Sequence, residues 1–381
     1  MTNFAPLPGV LHMTDTLSLG GAERVAVNLA NLLPREKYRV FFCATRGEGP
    51  LAQQLAPDVG RICLSRRWRF DLPALKRLIA FIRANDIHLL HAHSTALFVA
   101  VQASMFLPRL RVIWHDHFGR FRGDYSGRPG IEERPIPIFR FLTLLTDGVI
   151  SVNQPLADWA VNRLKRPSDQ VWYIPNFVTD FAENGAEVAL PGVAGKRIVC
   201  VANLRPEKDH ITLVRALALV AGREPDAHLL LAGAIGNQTH FAAIRDEIVK
   251  HKLDRHVTFL GERQNVAQIL RGCDIGVLSS ALEGLPLALI EYGKAGLPAV
   301  ATRVGQCHEV LDNGDAGILV PPRDPAELAE AVLSLLVSRE RRKAYGEAFR
   351  KRADEHYSAG PIIERICGVY DSILKPGAGR A

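Results

Sequence analysis

The chain has 381 residues, 48% of them hydrophobic and 23% charged, and a formal net charge of +7. That length is long for one core and suits two domains of ordinary size. No apolar run reaches the roughly 18 residues a membrane span needs. No basic segment leads into an apolar one at the N-terminus, and the six cysteines (43, 63, 200, 273, 307 and 367) form no CxxC pair. A spanning protein, a disulfide framework and a zinc centre are therefore not suggested, and a reducing cytoplasm is the expected place.

In chain order, short apolar strands alternate with helical patterns. In the first half the strands are VLHMTDT (10 to 16), RVFFCAT (39 to 45), RICL (61 to 64), IHLLHAH (87 to 93), RVIWHDH (111 to 117), GVISVN (148 to 153) and VWYIP (171 to 175). Helices such as AERVAVNLANLL (22 to 33), LPALKRLIAFIRAND (72 to 86) and QPLADWAVNRL (154 to 164) lie between them. The second half restarts with KRIVCVA (196 to 202), AHLLLAG (227 to 233), HVTFLG (256 to 261), DIGVLS (274 to 279), LPAVAT (297 to 302) and AGILV (316 to 320). A long basic helix over roughly 325 to 356 and a last helix over 361 to 375 close the chain. This alternation predicts parallel sheets covered on both faces, hence an α/β fold of two doubly wound, Rossmann-like domains. Residues 180 to 195 have no clear period and read as the linker. The expected division is 1–179, 180–360 and a terminal helix, 361–381, returning to the first domain, with ligand in a cleft between the carboxyl ends of the two sets of strands.

The positive charge is unevenly placed: residues 1–180 hold 22 Lys and Arg against 15 Asp and Glu, and the remainder balances at 25 of each. The excess gathers in SRRWRF (65 to 70) and HFGRFRGDYSGR (117 to 128), where Arg alternates with aromatics. Such stretches suit anionic lipid, an acidic acceptor or a solvated surface; no nucleic-acid module accompanies them, so nucleic acid is not an expected partner.

The block EGLPLALIE (283 to 291) follows an apolar strand and opens a helix. Unbonded amides at such a start, from Leu287 onward, favour phosphate. Upstream, VANLRPEKDH (201 to 210) places Arg205 and Lys208 after another strand, where cations neutralise a diphosphate leaving group. A glutamate on each side, Glu283 and Glu291, suits a diol at each end of that diphosphate. The ligand that meets all three requirements is a nucleoside diphosphate sugar. In the first half, Gly20 and Gly21 open a helix after a strand without the GxGxxG fingerprint of dinucleotide sites. His91 with His93, and His115 with His117, share strand faces. A metal cluster there lacks acidic or cysteine support, so no metal is expected, and a histidine at the carboxyl end of a strand can instead donate a hydrogen bond to a sugar hydroxyl.

Together these residues resemble the retaining family-4 glycosyltransferases of the GT-B fold, group 1 type. The likeness runs through GGAER, HAHS, WHDH, IPNFV, NLRPEKDH, VTFLGER, SSALEGLPLALIE, GLPAVAT and HEVLDNGDAGILVPPRDPAELAEAV. It implies that His115, Arg205, Lys208 and Glu283 carry the reaction. It assigns donor binding to Gly20, Gly21, Asn176, Asn203, Gly284, Leu285, Pro286, Leu287 and Glu291, and the base to Leu260, Gly261 and Arg263. Asn203 stands where the family commonly has arginine, leaving Arg205 to supply that charge; Tyr292-Gly293-Lys294 and Gln306-Cys307-His308 also depart from the family pattern. The implied reaction moves a sugar from a nucleoside diphosphate donor to a glycan or lipid-linked acceptor in envelope, lipopolysaccharide or exopolysaccharide synthesis, without cofactor or metal. The expected place is the cytoplasm, peripheral on the inner membrane face where the basic stretches meet lipid. The competing readings are a nucleotide-sugar epimerase or a noncatalytic sugar-nucleotide-binding protein.

Overall fold

The computed structural model describes residues 7–117, 136–179, 181 and 188–375. The basic run over 118 to 128 and most of the first part of the expected linker lie outside the described residues. The chain divides into two compact units, one holding the described residues up to Asn176 together with those from Ala359 onward, the other Phe177–Ser358.

In the first unit, β1 (Gly9–Thr16), β2 (Arg39–Gly47), β3 (Gly60–Cys63), β4 (Ile87–His93), β5 (Arg111–Asp116), β6 (Gly148–Ser151) and β7 (Val171–Tyr173) form one parallel sheet. Its order is β3-β2-β1-β4-β5-β6-β7, so the winding reverses between β1 and β4. Around it lie α1 (Gly21–Leu32), α2 (Leu72–Ala84), α3 (Leu97–Ser104), α4 (Ile136–Leu144) and α5 (Gln154–Asn162). Strand alternation explains the two faces. Leu11, Met13, Leu90, Ala92 and Val112 pack on Leu75, Leu78 and Ile82 of α2 and Val99, Ala100 and Ala103 of α3. The intervening residues put His12, His91, His93 and His115 on the other face, all buried. The last helix docks in this unit, where the Tyr38 hydroxyl donates to the Asp371 carboxylate at 2.6 Å.

In the second unit, β8 (Arg197–Val201), β9 (His228–Ala232), β10 (Val257–Gly261), β11 (Ile275–Leu278), β12 (Ala299–Thr302) and β13 (Ile318–Val320) form a parallel sheet in the order β10-β9-β8-β11-β12-β13. Its helices are α6 (His210–Arg223), α7 (Gln238–Lys250), α8 (Val266–Arg271), α9 (Leu287–Lys294), α10 (Cys307–Val310), α11 (Pro325–Leu336) and α12 (Arg339–His356); α13 (Ala359–Leu374) is the helix returning to the first unit. The single basic helix expected over 325 to 356 is two. Asp324 caps α11 and Ser338 caps α12, the latter accepting from the Arg341 amide at 3.1 Å, because α11 is an apolar helix buried through Leu328, Val332 and Leu336 while α12 is a charged one. Residues 188–195 of the expected linker are held on this unit. The Asp274 carboxylate accepts from the Gly195 and Arg197 amides at 2.9 and 3.0 Å, and the Leu190 carbonyl accepts from the Arg197 guanidinium at 3.0 Å.

Candidate functional site

The winding of the second sheet reverses between β8 and β11, and in open α/β sheets ligands bind beyond the carboxyl ends of strands at such a point. The two strands pair only at Ile275↔Ile198 and Gly276↔Val199. Past that, Tyr292 of α9 bridges the gap: its hydroxyl accepts from the Val201 amide at 2.8 Å and donates to the Val277 carbonyl at 3.3 Å. Gly276 makes room for it, since a Cβ there would lie 2.5 Å from the Tyr292 ring.

Three loops meet at this end. The loop after β8 carries a short turn, Pro206–Lys208, ending at Asp209 in the left-handed region (φ 47°), whose carboxylate caps α6 at the Thr212 amide. The loop after β11 is stitched to that turn by Ala281 N–H to the Glu207 carbonyl (2.8 Å) and by the Ser279 hydroxyl to the Lys208 carbonyl (3.0 Å). The loop after β12 joins through the Thr302 hydroxyl to the Ser280 carbonyl (2.6 Å) and Gln306 N–H to the Gly284 carbonyl (2.9 Å). Gly305 has φ +50°, and a Cβ on it would stand 2.2 Å from the Glu283 carbonyl oxygen, so only glycine permits this approach.

Glu283, 7% exposed, is fixed at one oxygen: Oε1 accepts from Lys208 Nζ at 2.6 Å and from the Ser280 hydroxyl at 2.6 Å. Burial works against the charge on Lys208, but the Glu283 carboxylate outweighs it and raises the lysine above its ordinary range. The two residues that the sequence assigns to sugar and phosphate are thus one ion pair. Directly after Gly284 and Leu285, Pro286 stands just ahead of α9, whose first amides begin at Leu287 and, as at any helix start, lack intrahelical acceptors. Glu291 lies one turn after Leu287 on the same helix and is buried.

Asn203 and Arg205 separate. Because β8 ends at Val201, strand alternation does not reach them and gives the two residues no common face. The Asn203 side-chain carbonyl accepts from the Ala234 amide at 3.0 Å, fixing the neighbouring loop. Arg205 is exposed and lays its stem along Gly236. At the end of β10, Leu260 is half-buried against the core, while Gly261 (φ +71°) and Arg263 are exposed.

In the first unit, Gly20 precedes α1 and Gly21 begins it, with Gly20 extended at φ −89°. Asp15, at the end of β1, gathers the neighbouring loops: it accepts from the hydroxyls of Thr45 and Thr95, each at 2.5 Å, and from Arg66 at 3.1 Å. Burial alone would raise its pKa; those hydrogen bonds together with Arg66 and Arg46 lower it. His115 belongs to a layer of five stacked imidazoles. His12 Nδ1 meets His93 Nε2 at 3.2 Å, His93 Nδ1 meets His117 Nε2 at 2.9 Å, and His91 Nε2 meets His115 Nδ1 at 3.0 Å. Burial pushes His12 down to about 3 and His91, His93 and His115 well below the usual range. His117 is also pushed down to about 3 by burial, against a hydrogen bond with Asn176 that works the other way. His12, His91 and His93 approach closely enough to share an ion, as do His93, His115 and His117. Their rings lie at 3° (His91 and His93) to 32° (His93 and His115) to one another, and the nitrogens concerned are turned on each other in the hydrogen bonds just given.

Sequence reasoning missed Ser280, Gly305, Tyr292, Asp15 and Tyr370. The serine before Glu283 and the acid ending the first strand are weak strand-end signals. Tyr370 has none, being 279 residues from the His91 it touches.

Residues 19–180 match the family Glycosyltransferase Family 4, and residues 190–352 match Glycosyl transferases group 1. Among curated proteins, N-acetyl-alpha-D-glucosaminyl L-malate synthase of Bacillus anthracis is 25% identical over 375 residues, covering 94% of this chain and 95% of its own length. Two solved structures share the fold. Anabaena HepE in complex with UDP-glucose has a TM-score of 0.78 at 19% identity, covering 96% of this chain and 99% of that one. Sucrose-phosphate synthase from Thermosynechococcus elongatus has a TM-score of 0.80 at 19% identity, with the same coverage of 96% and 99%. Two parallel doubly wound sheets, consecutive family matches over both halves and these neighbours together place the chain in the family-4, group 1 glycosyltransferases of the GT-B fold.

Proposed function

We propose that the protein transfers a sugar from a nucleoside diphosphate sugar to an acceptor hydroxyl with retention at the anomeric carbon and without a metal ion. The observation that carries the reading is the meeting, at the switch point of the second sheet, of a helix start with the Lys208–Glu283 pair. The amides from Leu287 and the cation of Lys208 suit a diphosphate, with the exposed Arg205 as a second cation. Glu283 keeps Oε2 for a sugar hydroxyl, Glu291 suits the ribose, and Leu260, Gly261 and Arg263 the base; Asn203 holds the adjoining loop. On the first unit, Gly20 and Gly21 serve the donor, Asn176 positions His117, and His115 meets the transferred sugar.

The acceptor oxygen bonds to the anomeric carbon as that carbon's bond to the diphosphate oxygen breaks on the same face. The acceptor proton passes to the departing phosphate, whose charge the amides and cations stabilise. Glu283 bound by Lys208 and Ser280 suits hydrogen bonding and not nucleophilic attack, which supports a path without a glycosyl-enzyme intermediate. The pairing of these imidazole nitrogens with one another supports metal independence.

The acceptor is proposed to be a glycan or lipid-linked saccharide met at an anionic membrane surface. Trp68 (74% exposed) and Phe70 (79%) flank Arg69, and α4 turns Ile138, Phe141 and Leu144 outward beside the exposed Arg140. Such apolar exposure among cations suits lipid headgroups. No helix among the described residues is long and apolar enough to cross a membrane.

Thermal shift with uridine, guanosine and adenosine diphosphates, each with and without excess chelator, tests the donor site. One base should stabilise the chain by about 2.7 kcal/mol at a hundredfold excess over Kd, unchanged by chelator. No shift with any of the three would remove the reading; a shift abolished by chelator would remove metal independence. Proton NMR of the product formed with the donor so identified reads the anomeric configuration.

A further inference from the structure

The hydroxyl of Tyr370, on α13, lies 2.5 Å from His91 Nδ1, and His91 Nε2 lies 3.0 Å from His115 Nδ1. His115 Nε2 is buried and has no partner among the described residues. Tyr370 is fully buried, and its ring meets His91 edge-on with centroids 5.7 Å apart. Its place is fixed by Tyr38, which packs edge-on against it at 5.6 Å and bonds to Asp371, the next residue.

Burial keeps the groups in this row neutral. The Tyr370 phenol is raised well above its ordinary pKa, and both imidazoles are held well below theirs. A neutral imidazole has one N–H and one lone pair, so a bond at one nitrogen dictates the role of the other. The Tyr370 proton has one acceptor among the described residues, His91 Nδ1. Were His91 to donate to Tyr370 instead, both the phenolic O–H and the His115 Nε2 lone pair would be buried without partners, against the His115 Nε2–H alone in the other direction.

We propose that Tyr370 and His91 are positioning residues whose one-way row of hydrogen bonds fixes His115 as its Nε2–H tautomer. Tyr370 O–H donates to His91 Nδ1; His91 therefore carries its proton on Nε2 and donates to His115 Nδ1; His115 carries its own on Nε2, the unpartnered nitrogen. In its reaction role the inference rests on the proposal that His115 meets the sugar: the nitrogen offered is then a donor, matched to a sugar oxygen. The neighbouring row, His12 to His93 to His117, has no such hydroxyl among the described residues and ends instead on the Asn176 side chain.

Long-range proton–nitrogen NMR of the full chain labelled with ¹⁵N-histidine at pH 8 distinguishes the tautomers, with His115→Asn assigning the resonance. Wild type should show His115 as Nε2–H, and Tyr370→Phe should move His91 and His115 toward Nδ1–H. In that variant kcat should fall about tenfold with the Kd for nucleoside diphosphate unchanged, because the diphosphate does not depend on His115. An Nδ1–H His115 in wild type, or an unmoved tautomer in Tyr370→Phe, overturns the row. Should the variant fail to fold, the wild-type spectrum alone decides. A shifted tautomer with undiminished kcat would uphold the row and overturn instead the contact of His115 with the sugar.

Discussion

Glu283 shows what separates a motif glutamate from a surface one. Its carboxylate is held at one oxygen by Lys208 and Ser280, both at 2.6 Å, while Gly305 clears the space behind its carbonyl. A buried ion pair is weak evidence for stability, because desolvating both charges offsets much of their attraction. The arrangement is better explained as orientation of a carboxylate toward a ligand. Glu283→Gln should lower kcat by about 10²-fold, the size of effect found when one preorganised polar contact at a developing charge is removed. It should also loosen Lys208, so circular dichroism and thermal unfolding of the variant are needed beside the kinetics. Wild-type turnover in a folded Glu283→Gln protein would sink the assignment. The sequence reading assigns Glu283 and Lys208 to one ligand. It did not show that they bind each other, because strand-loop patterns say nothing about which loop tips touch.

The histidine layer is a property of elements. Three neighbouring strands, β1, β4 and β5, each contribute imidazoles to the same face, and the stack spans the point where the winding reverses. Strand alternation made the sharing of a face legible for His91 with His93 and for His115 with His117. His12 joined them only through the register that sets it opposite His91. The layer has a consequence for pH. His12 and His117 stay neutral in the fold down to about 3, whereas in the unfolded chain they protonate near 6.5. Between those values the unfolded chain binds more protons, so stability is full above about 6.5 and falls as the pH drops below it. Each histidine adds a slope of about 1.4 kcal/mol per pH unit. The four tryptophans, at 68, 114, 159 and 172, all belong to the first unit, so tryptophan fluorescence reports its unfolding. The denaturation midpoint read that way should fall steeply from pH 6.5 to pH 5; a flat midpoint would mean that the imidazoles are hydrated. The Tyr292 bridge between β8 and β11 is likewise an element-level feature, closing a sheet where its own ladder stops.

For the molecule as a whole, the positive excess and the exposed Trp and Phe side chains among the described residues fall on the same unit. The excess of 22 cationic over 15 anionic side chains lies within residues 1–180, where Trp68, Phe70 and the outward residues of α4 are also found. Counterion and headgroup attraction is screened over about 10 Å at 0.1 M salt. Flotation with vesicles containing phosphatidylserine should therefore carry the chain at low salt and lose it as salt rises, and Trp68→Ala with Phe70→Ala should weaken it further. Absence of flotation at low salt would refute membrane contact and leave the transfer reaction untouched. The shape of the first unit also includes the chain's end: α13 belongs to it although the intervening residues build the other unit.

Local pattern by itself determined the thirteen strands of the described residues and their parallel pairing, because strand period, short apolar runs and intervening helices are set by residues a few positions apart. It also marked Glu283, Lys208 and the helix start at Leu287 as parts of one site, since each sits at a strand end with recognisable turn chemistry. Only the tertiary structure decided that Lys208 pairs with Glu283, that Tyr292 closes the sheet at its reversal, and that Tyr370 reaches His91. Those contacts join residues 75, 91 and 279 positions apart. They depend on how packed elements bring distant side chains together, a quantity that no local period encodes.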